Sequence, residues 1–573
     1  MAFRELLGGY DLPTIPSPLD FDAESASIHF PEEPPMRPNS LFRTALSPLL
    51  LGVSMFFVLI LVRPSLAADD KGAVPAEYAA LVPKDAGVVA FISDFDKFRD
   101  ELGKMIPSFA RGGSMPDLPH GLVETSLPIP KETACLIWSE SIGPIVSTPR
   151  TGIIHIAFRL PGANADTVSV KGKVTGLTFK GDMVVISQDM GFSDVKPVFA
   201  VPAKAENPLV DRLPSAVFSM GILGSDLADE ASKVAPMLSL GPMMLQQQMS
   251  ERLQKLDRAD RAAVRKAQNK AVGDISDLLK AAMASIEDIE MMTIGFFMDG
   301  ESMIADIDFA IGGRVADDHG VSPKVLKALP AGMPGYFAFD GPTLRWLANF
   351  EFDLIEGMFA STKEEVGRFD EVVSSIEALG KDIDGGYAGG FSGSFEQTQG
   401  IFGVKDPARF LKGMDGMMSS MSDLGIGIDY KPVGDMKWTL QMNGGTLMSR
   451  LGGSSEDMGI DSGSLNGDYD ITLRTDDGMV FLDQVRKGTS PPVGKGDPAL
   501  RGDLESLSDS KVVAGFTIDV LGMARDMAKS TGTDFPQEMK GKALLSMILH
   551  SPDPRTLALR LRLPYQQFIE FRQ

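Results

Sequence analysis

The chain has 573 residues, 43% of them hydrophobic and 23% charged, a composition that excludes wholesale disorder. Its 55 Lys and Arg residues against 77 Asp and Glu residues give a formal charge of −22, which disfavours nucleic acid as a partner because binding phosphates requires a basic surface. Cys135 is the single cysteine, so the chain forms neither an intramolecular disulfide nor a cysteine-based metal cluster.

An apolar run near the N-terminus has the order of a secretory signal. The run is Leu49–Val62; two arginines precede it, and the small residues of Ser65–Ala67 follow at the positions of a cleavage site. We therefore expect residues 1–67 to be a leader and signal peptide. The alternative is an uncleaved transmembrane anchor over residues 44–62. Both interpretations predict that residues 68–573 are exported, to the periplasm or the extracellular space.

Four later segments share one pattern: a turn often opened by proline, a short apolar strand, an Asp or a Gly, and then a helix. A proline disfavours helix just before it, and Asp94, Ser225, Asp340 and Asp519 stand where a helix N-cap is expected. The four segments are Val82–Leu102, Leu213–Val234, Leu329–Phe350 and Ser508–Ala528.

The sequences that follow the first and third openings are similar. Each begins with a strand and a Pro-marked turn before a helix, in Gly152–Val168 and in Gln399–Met414. A hairpin then follows, with its turn at Lys180–Asp182 in the first case and at Asn443–Gly445 in the second. The two strands of the second hairpin are predicted to be WTLQM and TLMSR.

The sequences after the second and fourth openings also match. Both contain a hairpin, with turns at Asp299–Glu301 and at Pro552–Pro554. Both hairpins are followed by a helix, which is predicted to start near Ser322 in one case and near Pro564 in the other.

Matched pairs in alternating order indicate an internal duplication. We expect a first half over residues 68–328 and a second half over residues 329–573, with a helical insertion of two helices at 237–290 in the first half alone. Because strands come in hairpins with helices between them, the predicted fold class is α+β, with antiparallel sheets and helices on one face. Gly452–Gly467 and Lys487–Asp497 are predicted to be loops, because they are rich in Gly, Ser and Pro.

The proline-containing openings resemble a bacterial family of exported proteins known only as a domain of unknown function. The matching residues are Val82–Asp85, Leu213–Ala216 and Leu329–Gly332, and the likeness covers most of residues 75–570. The resemblance implies export and a build from strands and helices. It implies no catalytic residue.

No catalytic motif is complete in the sequence. Gly390–Ser394 departs from G-x-S-x-G, and Gly488–Gly496 has one residue too many for a phosphate loop and is predicted to be a flexible connector. The five histidines lie at no metal-ligand spacing, and His155, between two isoleucines of a strand, is predicted to be a satisfied or a surface histidine. We therefore assign no catalytic, cofactor-binding or metal-binding residue. Asp317 and His319 are candidates only for an alternative hydrolase site.

Two acidic loops and a methionine stripe are candidate metal sites. Asp382–Gly385 and Asp461–Asp470 carry the carboxylates that calcium prefers, but neither has EF-hand spacing, so solvated turns are favoured. Four methionines on one face of a predicted helix could hold Cu(I), but a helix needs such a stripe to face its core, so core packing is favoured. These methionines are Met414, Met417, Met418 and Met421.

One segment is basic in this acidic chain. Residues 251–270 carry seven bases against three acids, a local charge of +4, and the bases lie within Arg252–Lys270. Amphipathic basic helices can lie on anionic membranes or dock an acidic partner. A solvated helix face with i to i+4 pairs, such as Asp257 with Arg261, is the favoured alternative.

The leading functional hypothesis is an exported, non-enzymatic protein whose sheets bind a macromolecular partner or an apolar ligand. A hydrolase with an unrecognised site and a copper or calcium scavenger are the alternatives. Leu49–Val62 and the basic helix Arg252–Lys270 are the candidate segments for membrane contact.

Overall fold

A computed structural model describes residues 74–84, 86–94, 97–98, 123–129, 135–139, 153–170, 176–189, 199, 207–238, 240–299, 302–312, 320–392, 397–425, 427–443, 446, 466–488, 498–531 and 543–564. The predicted signal or anchor at residues 1–67, the helix predicted after Pro564, and nearly all of the two predicted Gly- and Pro-rich loops lie outside these ranges. Within them, no helix is both long enough and apolar enough to cross a bilayer.

Strands and helices alternate through the described residues, as the predicted α+β class requires. The strands are β1 Val88–Ile92, β2 Val123–Thr125, β3 Cys135–Ser139, β4 Ile153–Arg159, β5 Val168–Val170, β6 Gly176–Lys180, β7 Met183–Asp189, β8 Phe218–Leu223, β9 Ile289–Asp299, β10 Ser302–Ile311, β11 Gly335–Phe339, β12 Ile383–Phe391, β13 Gln397–Val404, β14 Ile428–Gly434, β15 Lys437–Met442, β16 Gly467–Asp476, β17 Met479–Arg486, β18 Val512–Asp519, β19 Leu544–Asp553 and β20 Thr556–Pro564. The α-helices are α1 Ala76–Ala79, α2 Gly224–Leu238, α3 Leu240–Leu253, α4 Arg258–Glu287, α5 Pro323–Lys327, α6 Gly341–Phe359, α7 Lys363–Gly380, α8 Pro407–Asp423, α9 Pro498–Ser506 and α10 Val520–Thr531.

Eighteen of these strands form one continuous antiparallel sheet. Following the hydrogen-bonded neighbours gives the order β6-β7-β4-β3-β1-β8-β9-β10-β20-β19-β18-β11-β12-β13-β17-β16-β15-β14. Strands β2 and β5 form a separate two-stranded sheet. The α+β class with antiparallel sheets is therefore confirmed.

The two parts of the chain pair their strands in the same order. From β10 outward the order is β9, β8, β1, β3, β4, β7, β6, and from β20 outward it is β19, β18, β11, β12, β13, β17, β16, with β14 and β15 added beyond β16. The junction between the two sets is the antiparallel pair β10–β20, in which Asp306 lies opposite Arg560. Val321 and Leu326 belong to the core of the second set, because they pack with Tyr336.

Two predicted local elements are wrong. WTLQM, within β15, pairs with β14 and β16 and not with the TLMSR segment, most of which lies outside the described residues. The hairpin that matches β6–β7 is β16–β17, whose turn Asp477–Gly478 has positive φ at both residues. The short helix predicted within Gly152–Val168 is a series of turns, because Asn164 bonds to the backbone of Asp166 and Thr167 locally.

Three of the four predicted N-caps are confirmed. The carboxylate of Asp340 accepts from Thr343 N at 2.7 Å, that of Asp519 from Gly522 N at 3.0 Å, and that of Asp94 from Lys97 N at 2.9 Å. Ser225 is not a cap, since α2 already begins at Gly224. Within the predicted insertion at 237–290, α3 and α4 are the two expected helices.

The sheet carries different layers on its two faces. We call the helix face the one bearing Phe337 and Phe516, because α2, α4 and α8 pack there. We call the other one the opposite face; it bears Tyr336 and Thr517, and the short helices α1, α5 and α9 pack on it. The long helices thus lie on one face, and short helices cover parts of the other.

Candidate binding surface

A row of apolar side chains crosses eight central strands on the helix face. Its members are direct partners across β1, β8, β9, β10, β20, β19, β18 and β11, and directly opposed residues lie on the same face. At about 4.8 Å between neighbouring strands, the row is roughly 34 Å long. We call it the apolar row; it consists of Ile92, Phe218, Phe296, Ala305, Leu561, Met547, Phe516 and Phe337.

The large side chains of the apolar row are less buried than the polar side chains directly behind them on the sheet. An antiparallel sheet normally buries its apolar face and leaves its polar face in water. Here the six large members of the apolar row from Phe218 to Phe337 are only partly buried, whereas Ser219, Thr517 and Ser546 on the opposite face are fully buried at 0% exposure. The large apolar groups of the row thus keep part of their surface uncovered over several strands, which makes the row a candidate interaction surface.

Aromatic rings stack on members of the row, and one of them lies close to a neighbouring glycine of β11. Phe98 stacks on Phe218 with 5.4 Å between ring centroids, and Phe391 stacks on Phe516 at 5.9 Å. A Cβ added to Gly335 would lie 2.3 Å from the ring of Phe391. The ring of Phe391 therefore occupies the space next to Gly335, and the stacked rings extend the apolar surface beyond the row.

Three layers bound the open part of the helix face. Along one side, α2 and α4 pack on the sheet through Leu227 and Ile286. At one end the small β2–β5 sheet covers Phe158, and at the other end α8 covers Phe402. Met547 and Leu561 of the row also pack against this helix cluster. We call the space along the apolar row between these layers the trough.

The opposite face carries an ionic network at the junction of the two strand sets, in which the Arg562–Asp503 pair is buried and the Arg560–Asp306 pair is partly buried. Arg560 forms two hydrogen bonds of 2.8 Å with the Asp306 carboxylate. Arg562 forms two of 2.8 Å with Asp503, which also accepts a 2.6 Å bond from the Ser546 hydroxyl. These bidentate pairs compensate the charges on the face of the sheet that is turned away from the apolar row.

Two titratable groups beside this network have shifted pKa values. Burial, with the nearby charge of Asp306, raises the pKa of Asp308 to about 6. Burial, with the positive charge of Arg560, lowers the pKa of His550 to about 4. His550 is therefore neutral at pH 7, and its Nδ1 has no hydrogen-bond partner. Within the described part of the chain, no hydroxyl or thiol bonds to this nitrogen.

The other described histidine, His155, bonds to a serine but is inaccessible. His155 Nδ1 lies 2.8 Å from Ser187 Oγ, and both side chains have 0% exposure. The ring also packs edge-on against Phe199, with 4.8 Å between centroids. His155 is thus the satisfied histidine that the sequence predicts, and no substrate can reach the pair. Asp317 and His319 lie outside the described residues.

The candidate metal sites have structural roles where the structure describes them. Met414 and Met418 are buried in the core under α8, while Met417 and Met421 pack at its edge, so the prediction of core packing is confirmed. The prediction that Asp382 lies in a solvated turn is wrong, because it is 4% exposed and bonds to Arg409. Of Asp461–Asp470, the residues before 466 lie outside the described part. Nowhere among the described residues do three His, Cys, Asp or Glu side chains lie close enough to hold a metal ion.

An acidic cluster joins α4 to α6 on the helix face. Lys270 Nζ lies 2.6 Å from Asp353 Oδ1, and burial raises the pKa of the neighbouring Asp274. Burial, with the charge of Asp370, raises the pKa of Glu356 to about 7. Glu356 is only 2% exposed. The contact between α4 and α6 therefore includes a buried carboxyl group with a raised pKa.

A Glu356→Gln variant should be more stable than the wild type at pH 8 and equally stable near pH 4.5. The folded-state pKa lies above the ordinary value of 4.5, so the folded chain keeps a proton that the unfolded chain loses, and the free energy of unfolding falls as the pH rises from about 4.5 through about 7. Glutamine mimics the protonated acid and removes this dependence. Urea unfolding across this range measures it, with the exposed Glu377→Gln on α7 as the control. An unchanged pH dependence in Glu356→Gln would contradict the assignment.

Comparison with protein-family models, with curated proteins and with solved structures gives no match for this chain. The function therefore has to be inferred from the arrangement of its own residues.

Sequence reasoning did not identify the apolar row. Its signal is present, since the strands around Phe296, Phe516 and Leu561 alternate apolar residues with Gly, Thr or Arg. The alternation of apolar and other residues along a strand shows which side chains share a face of the sheet. It does not show which face the helices leave uncovered.

Proposed function

We propose that this protein is an exported, non-enzymatic binding protein that holds the hydrocarbon chain of an amphiphile in the trough along the apolar row. The observation that carries the proposal is the partial exposure of six large apolar side chains in one line across the sheet, from Phe218 to Phe337. Burying them under a ligand would remove apolar surface from water, at about 1.5–3 kcal/mol for each side chain that becomes fully buried.

A hydrocarbon chain suits the trough better than a polar ligand. The backbone groups of central strands are already used in the sheet, so the floor offers a ligand few hydrogen bonds. The side chains of the apolar row have no polar group either, and Met547 adds a flexible, polarisable contact. An extended hydrocarbon chain can follow this line of apolar side chains from strand to strand.

A tandem duplication would explain how the trough arose. The matched pairing order of the two strand sets and the junction of β10 with β20 support this origin. A single set would carry half of the apolar row and would end at an unpaired edge strand. In the whole chain the edge strands of the two sets, β10 and β20, pair with each other, and Arg560 bonds to Asp306 across this pair. The pairing also joins the two halves of the apolar row.

Titration with a fluorescent fatty acid, cis-parinaric acid, tests the proposal on protein purified without detergent. Saturable binding is expected, and Phe516→Asp should weaken it at least tenfold because the new carboxylate would have to be buried against hydrocarbon. Met547→Gln, which retains the shape of the side chain, should weaken it less. Val433→Asp serves as the control, since Val433 is 63% exposed on β14, away from the row.

Circular dichroism and thermal unfolding establish that each variant is folded. Equal affinity in the wild type, Phe516→Asp and Met547→Gln would refute the binding site. Failure of the wild type to bind the probe, with no lipid retained in native mass spectrometry, would refute the function and favour a protein partner on this face instead.

A further inference from the structure

The α3–α4 hairpin of the insertion borders a cavity of about 340 Å³. Its ten lining residues comprise two arginines, four side-chain amides, one serine and three apolar residues, and they include no acid. Such a lining is unusual in a chain of net charge −22. The volume lies in the range of small-molecule sites.

Two hydrogen-bond donors in this cavity have no partner. Gln268 is 3% exposed, and its Nε2 bonds to nothing. Arg261 Nε is likewise buried and unpartnered, while its Nη2 donates to Leu256 O at 2.8 Å. That bond fixes the guanidinium and replaces the predicted pair with Asp257. A buried donor without an acceptor costs about 1–3 kcal/mol, so a ligand that supplies acceptors recovers this cost.

The apolar part of the lining indicates a ligand larger than an inorganic ion. Met249 and Leu253 are 5% and 7% exposed and face the same cavity as the donors. Arg265, also in the lining, is exposed and adds a second positive charge at the cavity. The donors and the positive charge suit an anionic oxygen group, and the apolar wall suits a short hydrocarbon part of the same molecule.

We propose that the α3–α4 cavity binds a small organic oxyanion, a carboxylate or a phosphate ester, through Arg261, Arg265 and Gln268. A guanidinium presents donors in the planar arrangement that carboxylate and phosphate oxygens fit. The Gln268 amide supplies a further buried donor. This site is separate from the apolar row, so either proposal can fail while the other stands.

Isothermal titration calorimetry of the full chain with hexanoate, hexyl phosphate and neutral hexanol tests the site. One molecule of either anion is expected to bind per chain, and hexanol should bind at least tenfold more weakly. Arg265→Gln should lower the affinity for hexanoate about tenfold or more, the effect of losing one charged hydrogen bond. Arg258→Gln, an exposed α4 arginine outside the lining, should leave the affinity unchanged.

Arg261 is a poor choice for substitution, because replacing it would also remove its bond to Leu256 and could disturb the fold. Gln268 is therefore the second position to replace. Gln268→Leu has a similar volume and keeps the hairpin packed, and it should lower the affinity for both anions while unfolding at a temperature close to that of the wild type. The proposal is overturned if neither anion binds, if hexanol binds as well as the anions, or if Arg265→Gln and Gln268→Leu both bind like the wild type.

Vesicles distinguish a lipid headgroup from a soluble anion as the source of the oxygen group. Sedimentation with phosphatidylglycerol vesicles that hexanoate competes away, and that Arg265→Gln weakens, would assign the site to a headgroup. Anion binding without vesicle binding would assign it to a soluble molecule. Vesicle binding that is unaffected by hexanoate, Arg265→Gln and Gln268→Leu would overturn the role of the cavity.

Discussion

An Asp503→Ala variant should lose about 3–5 kcal/mol of unfolding free energy, the range for removing one partner of a buried ion pair. The Asp503 carboxylate accepts two bonds from Arg562 and one from Ser546, and the two charged side chains are only 11% and 10% exposed. Alanine would leave the Arg562 charge buried without its counter-ion. The shift of the urea unfolding midpoint measures the loss.

An exposed ion pair supplies the matched control for Asp503. Asp277 and Lys280 form a 2.9 Å pair whose side chains are 76% and 75% exposed, so Asp277→Ala should change stability by less than about 1 kcal/mol. Replacing both buried partners, as Asp503→Leu with Arg562→Met, should recover much of the loss because no uncompensated charge remains. If Asp503→Ala and Asp277→Ala unfold at the same urea concentration, the junction network does not stabilise the fold.

Gly224→Ala should destabilise the protein by about 3 kcal/mol or more, at the upper end of the cost of overpacking. A Cβ at Gly224 would lie 1.5 Å from the backbone oxygen of Ile289, so α2 and the start of β9 could not keep their present contact. Backbone atoms cannot rotate away as a flexible side chain can. Thermal unfolding followed by circular dichroism measures the effect.

A second helical glycine gives a control of opposite sign. Gly273 lies inside α4, and a Cβ added there meets nothing within 4 Å. Gly273→Ala should therefore raise stability by about 0.5–1 kcal/mol through helix propensity alone. A neutral Gly224→Ala, or a destabilising Gly273→Ala, would show that the backbone packing around α2 and α4 differs from this description.

Local signals in the sequence were sufficient for much of the fold. Asp340 and Asp519 cap helices because each follows a short apolar strand at the point where a carboxylate can accept from the first turn. The hairpins at Lys180–Asp182 and Asp299–Glu301 are correct because alternating strands flank short polar turns.

Non-local pairing was harder to predict. The Asn443–Gly445 turn is a strong hairpin signal, yet β15 pairs with β14 before it and with β16, which begins at Gly467. A turn motif states only that the chain can reverse. Which strand then lies alongside depends on the whole sheet, and the sequence of one strand does not encode its neighbour.

The candidate sites depend on three-dimensional packing even more strongly. The excess of bases near Arg261 was visible in the sequence, but the cavity exists because α3 and α4 fold back on each other and leave Gln268 buried without a partner. Similarly, the sequence around Phe516 and Phe337 predicts ordinary core residues of strands. Their partial exposure follows from helices that cover only part of the sheet.

The order in which the chain is made bears on how the sheet closes. Strand β10, at the middle of the sheet, pairs with β20. Strand β20 begins 245 residues after the end of β10 and follows every other described strand. Until Thr556–Pro564 has been synthesised, β10 is an edge strand. Its unpaired backbone groups can then form hydrogen bonds with another chain. The β10–β20 pair can therefore form only after almost all of the described chain has been synthesised.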